Sequence, residues 1–97
     1  MAIIITWTQS ALQTSNYTAS LGELVLCDPS GGAFTVMLPT AVGHLRMITI
    51  KNTTSSTNTI TIDGNSTETI DGSLTVSMNT AYQSVTMVSD NANWWIL

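Results

Sequence analysis

The sequence predicts an all-β protein, an antiparallel sandwich or jelly-roll, and three observations carry that expectation. Apolar residues alternate with period two, as in Phe34, Val36 and Leu38 against Ala33, Thr35 and Met37, or Leu74, Val76 and Met78 against Thr75 and Ser77. No long window places apolar residues at i, i+3, i+4 and i+7 between caps, and the helix formers Glu, Lys and Arg are scarce. Runs of this kind recur roughly every 8 to 12 residues, the strand spacing of a sandwich or barrel.

In chain order, the first run, Ile3 to Thr8, is β-branched and ends in Trp7 and Thr8. Gln9 to Ser20 is polar and lacks the apolar stripe of a docked helix, so it reads as a linker or arm with a short turn at Ser10 to Gln13. Strands follow at Glu23 to Cys27 and Ala33 to Leu38, separated by Asp28-Pro29-Ser30-Gly31-Gly32. Pro39 closes the second of these, having no N–H for a central ladder. Met47 to Asn52 and Asn58 to Asp63 come next, and the β-branched Ile48 and Ile50 read as a hairpin partner for Ile60 and Ile62 across a polar turn. A weaker piece covers Glu68 to Ile70, before the Asp71-Gly72 turn and a strand at Leu74 to Met78. Ser84 to Ser89 and Trp94 to Leu97 form a second hairpin through Asp90-Asn91-Ala92-Asn93.

Ninety-seven residues suit one core, with residues 1–16 as an N-terminal strand and linker or arm and residues 17–97 as the β-sandwich domain. Only 8% of residues are charged, against roughly 25% in an average soluble domain. Lys51 and Arg46 face six acids, for a formal charge of −4, so an electrostatic grip on nucleic acid or an anionic membrane is excluded. The longest apolar run, Met1 to Ile5, is far short of the ~20 residues of a membrane helix. It has no basic residue before it, so it does not read as a secretory signal, and Met1 reads as the true start.

Little in the chain points to chemistry. Cys27, the one cysteine, lies in the apolar run Leu24-Val25-Leu26-Cys27 and reads as a small buried hydrophobe rather than a nucleophile. The one histidine, His44, sits beside Gly43 in an expected turn, away from any triad pattern. One Cys and one His do not make a zinc site, which takes four such ligands. Every Asp falls in an expected turn, where its carboxylate caps backbone, so paired acids for sugar cleavage are the weaker reading. Asp63-Gly64-Asn65 lacks the further acids of a calcium loop, and Asn16-Tyr17-Thr18, Asn52-Thr53-Thr54 and Asn65-Ser66-Thr67 fit the glycosylation pattern as any Thr-rich chain does. The expectation is no enzyme, no catalytic residues, no metal and no cofactor.

Aromatic and apolar residues instead suggest association. Adjacent in one strand, Trp94 and Trp95 face opposite sides, so the second needs another sheet or another chain to cover it. A domain this short buries only ~60–65% of its unfolded surface and has no disulfide or metal to compensate, which favours an oligomer. The run Ile3, Ile4, Ile5 and Trp7 is either the first strand of its own sandwich or an arm that adds to an exposed sheet edge. Ile3, Ile4, Ile5, Trp7, Trp94 and Trp95 are therefore the candidate interface residues.

Tyr17-Thr18-Ala19-Ser20, Gly31-Gly32-Ala33-Phe34-Thr35-Val36 with Leu38-Pro39, and Ile48-Thr49-Ile50-Lys51-Asn52 begin a recurring pattern. Thr61-Ile62-Asp63, Thr69-Ile70-Asp71-Gly72, Tyr82-Gln83-Ser84-Val85-Thr86, Val88-Ser89-Asp90 and Asn93-Trp94-Trp95-Ile96 continue it, so that it spans roughly residues 17–97. Together these stretches resemble a β-domain of bacteriophage virion proteins, found in tail fibres, tail spikes and head appendages. The resemblance implies a virion structural protein, commonly a homotrimer, without catalytic residues. The leading expectation is a capsid decoration (cement) protein on a phage head, partnered by itself and by the major capsid protein or another virion protein. It would be assembled in the host cytoplasm. The alternatives are a receptor-binding knob of a tail fibre or spike and, last, a sugar-cleaving depolymerase domain.

Overall fold

The computed structural model describes residues 7–97, and for His44 and Leu45 the backbone alone. Among the described residues nine strands form two sheets: β1 (Thr8–Gln9), β2 (Tyr17–Thr18), β3 (Glu23–Cys27), β4 (Phe34–Met37), β5 (His44–Asn52), β6 (Ile60–Asp63), β7 (Thr75–Met78), β8 (Ser84–Asp90) and β9 (Trp94–Ile96). Sheet A has the order β1-β3-β5-β8-β9 and sheet B the order β2-β4-β6-β7. A 3-10 turn at Pro29–Gly31 is the one helical element among the described residues. The all-β expectation therefore holds at the level of class.

The two packed sheets of the expected sandwich are present, but they are not the antiparallel sheets expected: both are mixed. Over β1 to β6 the chain alternates between sheets, so strands neighbouring in a sheet are two apart in sequence and run the same way. The pairs β1/β3, β3/β5, β2/β4 and β4/β6 are all parallel. This is three turns of a flattened parallel coil. Only afterwards do neighbours reverse, with β6/β7, β5/β8 and β8/β9 antiparallel.

The expected hairpin between Met47 to Asn52 and Asn58 to Asp63 is thereby corrected, since β5 pairs with β3 and β8 while β6 pairs with β4 and β7. The residues linking them carry the chain across the ~10 Å between sheets instead of turning it back within one. Ile48, Ile50, Ile60 and Ile62 do share a core, each fully buried, but they come from opposite layers. The second hairpin stands as expected, with Val88 opposite Trp95 and Ser89 opposite Trp94.

Rows of inward side chains run through each sheet. In sheet A, Val25, Ile50 and Val85 are in register, as are Ile48 and Met87. In sheet B, Phe34, Ile60 and Met78 form one row and Val36 with Ile62 another. All are buried, and with Leu38, Ala41, Ile70 and Trp94 they make one continuous core. At ~25 cal/mol per Å² of apolar area, this burial is the dominant favourable term of the fold.

Three further expectations are revised. Gln9 to Ser20 is not a plain linker, because it holds β2 and pairs Gln13 with Cys27. Ser10 is buried, its hydroxyl accepting the Leu26 N–H at 3.0 Å. Glu68 to Ile70 reduces to single bridges, from Ile70 to Ser73 and to Trp94. His44 opens β5 opposite Asp90 rather than lying in a turn. Of the run Ile3 to Thr8, the part before Trp7 lies outside the described residues.

Asp71-Gly72 is a two-residue hairpin turn. Both residues have positive φ, 49° and 86°, and Ile70 and Ser73 exchange hydrogen bonds of 2.7 and 3.0 Å across it. Such a turn demands the left-handed region at both central positions, which Asp tolerates and Gly adopts freely. It also protects a sheet edge. Trp94 donates to the Thr69 carbonyl and accepts from the Asp71 N–H, and the Asp71 carboxylate takes the Ile96 N–H at 2.9 Å, so the outer side of β9 is covered.

Candidate functional site

Most of the carboxylates hold backbone N–H groups and neighbouring side chains in place. Glu23, 6% exposed, accepts the Tyr17 hydroxyl at 2.7 Å and the Ser20 N–H at 3.0 Å, tying β2 of sheet B to β3 of sheet A. The hydrogen bond to Glu23, with burial and the carboxylate's charge, raises the Tyr17 pKa. Asp28 caps the 3-10 turn through the Ser30 N–H, and its hydrogen bonds to Ser30 lower its pKa. Glu68 holds the Thr40 hydroxyl and the Ala41 N–H, both at 2.8 Å. Asp90 accepts from the Ala92 and Asn93 N–H groups and from the Trp95 indole. With Asp71 on Ile96, five of the six carboxylates serve as caps or clamps.

Asn52 behaves alike. It is 2% exposed; its amide donates to the Ser56 and Thr80 carbonyls, and its oxygen accepts from the N–H and hydroxyl of Thr54. A buried amide nitrogen spent on two carbonyls is no glycan acceptor, so the Asn52-Thr53-Thr54 pattern is structural. Cys27 is fully buried, and burial pushes its thiol up to about 12, far from the thiolate a nucleophile needs. Among the described residues no three His, Cys, Asp or Glu side chains group as metal ligands.

The informative feature is a contrast between the two outer faces. Outward positions of sheet B are polar: Thr35, Thr61 and Ser77 form one row, and Thr18, Asp63 and Thr75 share the next with Met37 as its one apolar member. The apolar outward positions of sheet A are Leu24 and Leu26 on β3, Met47 on β5, Val88 on β8 and Trp95 on β9, with Lys51 and Ser84 at one end of the β5–β8 ladder and Asp90 at the other. Thr49 and Thr86 sit among them with their hydroxyls hydrogen-bonded to each other at 2.9 Å. Trp7, Leu24 and Thr49 line a shallow apolar hollow of about 310 Å³.

The sequence-derived interface candidates separate accordingly. Trp94 is wholly buried in the chain's own core, while Trp95 is 44% and Trp7 42% exposed. Ile3, Ile4 and Ile5 lie outside the described residues. The sequence shows that Trp94 and Trp95 oppose each other, but not that Met47, Val88 and Leu24 would join Trp95 on one surface. That grouping depends on strand partners.

Comparison with known protein families and with curated proteins finds no match.

Proposed function

We propose that this protein is a structural component of a bacteriophage virion, a capsid decoration (cement) protein that forms a homotrimeric knob on the head. The observation that carries the structural class is the contrast between the faces: a short, sparsely charged chain exposes an apolar layer on sheet A and a Thr/Ser layer on sheet B. An apolar layer of that kind is a surface for another protein. The virion role is supported by the resemblance over residues 17–97. Loops held by carboxylate clamps suit a particle-bound protein that must keep one shape.

The test mixes purified protein with capsids lacking it and, separately, with host cells. Saturable retention on capsids with none on cells is the expected result. Retention on cells alone would replace this reading with that of a receptor-binding knob.

A further inference from the structure

We propose that the hollow at the end of sheet B, between residues 14–16 and residues 31–34, binds a neutral saccharide. This site stands apart from the apolar face of sheet A and does not depend on the place the protein takes in a virion.

Parallel coiling builds the hollow. β2 and β4 run side by side in the same sense, with Tyr17 opposite Val36, so the segments that enter them lie next to each other at one end of the sheet. Together they line a space of about 380 Å³, within the ~300–1,000 Å³ of small-ligand clefts. Both walls are tied down. Asn16 Oδ1 accepts the Thr35 N–H at 2.9 Å, the Asp28 N–H donates to the Gln13 carbonyl at 2.9 Å, and Asn58 Nδ2 donates to the Pro29 carbonyl at 2.9 Å. A site fixed in this way has little freedom left to lose when a ligand arrives.

The lining chooses the ligand. Thr14 and Ser15 bring hydroxyls that each donate and accept, and Asn16, with its oxygen on Thr35, keeps two amide N–H donors. The one hydrogen bond that engages these three side chains among the described residues is that from Thr35 to Asn16. Donors and acceptors mixed on neighbouring groups suit a ligand whose own groups do both, as the adjacent hydroxyls of a sugar ring do. Ala33 and the 7% of Phe34 left exposed give the C–H groups of the ring an apolar contact.

Charge and backbone exclude the competing ligands. No charged side chain lines the hollow: Lys51 donates to the Tyr82 carbonyl, the Arg46 guanidinium is folded beside Gly43, and the Asp28 carboxylate caps Ser30. An anion would meet no cation there. Nor is a ladder open to an added peptide strand, since Asn16 already takes the Thr35 N–H. Gly31 keeps the space free without being needed by the fold. Its φ is not positive and a Cβ built on it meets nothing within 4 Å, so neither the backbone nor packing within the chain requires glycine at that position.

In the test, isotope-labelled full-length protein is titrated with D-glucose, D-galactose, D-mannose and N-acetyl-D-glucosamine, and with N-acetylneuraminic acid as an anionic sugar, while its backbone amide signals are followed by NMR. Saturable shifts centred on Ser15, Asn16, Gly31 and Gly32 are expected with at least one neutral sugar, with weaker binding of the anionic one. Asn16→Asp keeps the oxygen that holds Thr35 but loses both amide donors, and should weaken binding roughly tenfold or more with melting unchanged. Gly31→Leu fills the hollow and should abolish binding; if that variant does not fold, Asn16→Asp decides. The absence of a saturable shift with every neutral sugar overturns the proposal, as do shifts centred on sheet A or binding undiminished in Asn16→Asp. Equal or tighter binding of the anionic sugar overturns the neutral class.

Discussion

Trp95 donates its indole N–H to Asp90 Oδ2 at 2.7 Å across the β8–β9 turn, while the other oxygen of the same carboxylate holds the Ala92 and Asn93 N–H groups. One side chain thus shapes the turn and pins the exposed aromatic. The hydrogen bonds from Asn93, then Trp95 and Ala92, lower the Asp90 pKa from its ordinary 3.8. A carboxylate with a lowered folded pKa adds stability above its unfolded pKa and loses it as pH falls through the folded value. Asp90→Asn should therefore melt below the wild type at pH 7, with the gap closing as pH drops below about 4. A gap that stays constant from pH 7 to pH 2 would refute the assignment.

Asn52 meets all its hydrogen-bonding capacity inside the fold, joining the residue 53–59 crossing to the residue 79–83 loop. Asn52→Ala should destabilise by ~1–3 kcal/mol, measured by urea unfolding, because the partly buried Ser56 carbonyl and the Thr54 N–H lose their partner. Asn52→Asp should cost more, since it removes both donors and sets a charge against two carbonyl oxygens. A neutral Asn52→Ala would show that solvent replaces these bonds freely.

How much of this was legible in the sequence follows from what alternation encodes. Period two tells which side of a strand is buried, and Val25, Cys27, Ile48, Ile50, Ile60 and Ile62 are all interior. It is silent on which strand is the neighbour. Ile48 and Ile50 with Ile60 and Ile62 have the same pattern whether they pair in one sheet or face each other across two, and sequential pairing is the commoner outcome. The hairpin at Asp90–Asn93 was legible because its turn chemistry is local. The apolar outer face was not, since Leu24, Met47, Val88 and Trp95 come from four strands and share a surface only once β3, β5, β8 and β9 are in order.

Cys27 is walled in by the core, and its thiol is pushed up to about 12 by burial alone. Native protein at pH 8 should resist alkylation that goes to completion in urea. Cys27→Ser should cost ~1–3 kcal/mol by burying a hydroxyl without an adequate partner, and Cys27→Ala less. Rapid native labelling would mean the coil opens at β3 far more readily than its burial implies.

Gly64 follows β6, is buried, and donates its N–H to the Leu74 carbonyl at 3.0 Å. A Cβ built there collides with the Glu68 carbonyl oxygen, a backbone atom that a side-chain rotation cannot move. Glu68 in turn clamps Thr40 and Ala41, so the displacement would reach the chain leading into β5. Gly64→Ala should lower stability by ~1–3 kcal/mol. Gly31→Ala, where a Cβ meets nothing within 4 Å, is the control and should change little.

Trp94 and Trp95 offer the sharpest comparison, being chemically identical neighbours on opposite faces of β9. Trp94 is fully buried, and its Nε1–H finds no acceptor among the described residues. Trp94→Ala should cost ~3–5 kcal/mol, as expected for removing a large ring from a packed core. Trp94→Phe removes a smaller part of that volume and with it an N–H whose unpaired burial itself costs ~1–3 kcal/mol. The two effects oppose, so Trp94→Phe should lie within about 1 kcal/mol of the wild type. Trp95→Ala, read on monomeric protein at high dilution, should cost less than Trp94→Ala, because its ring is half in solvent and held by one surface hydrogen bond. A Trp94→Phe variant as unstable as Trp94→Ala would mean that the indole N–H is satisfied and supports the core.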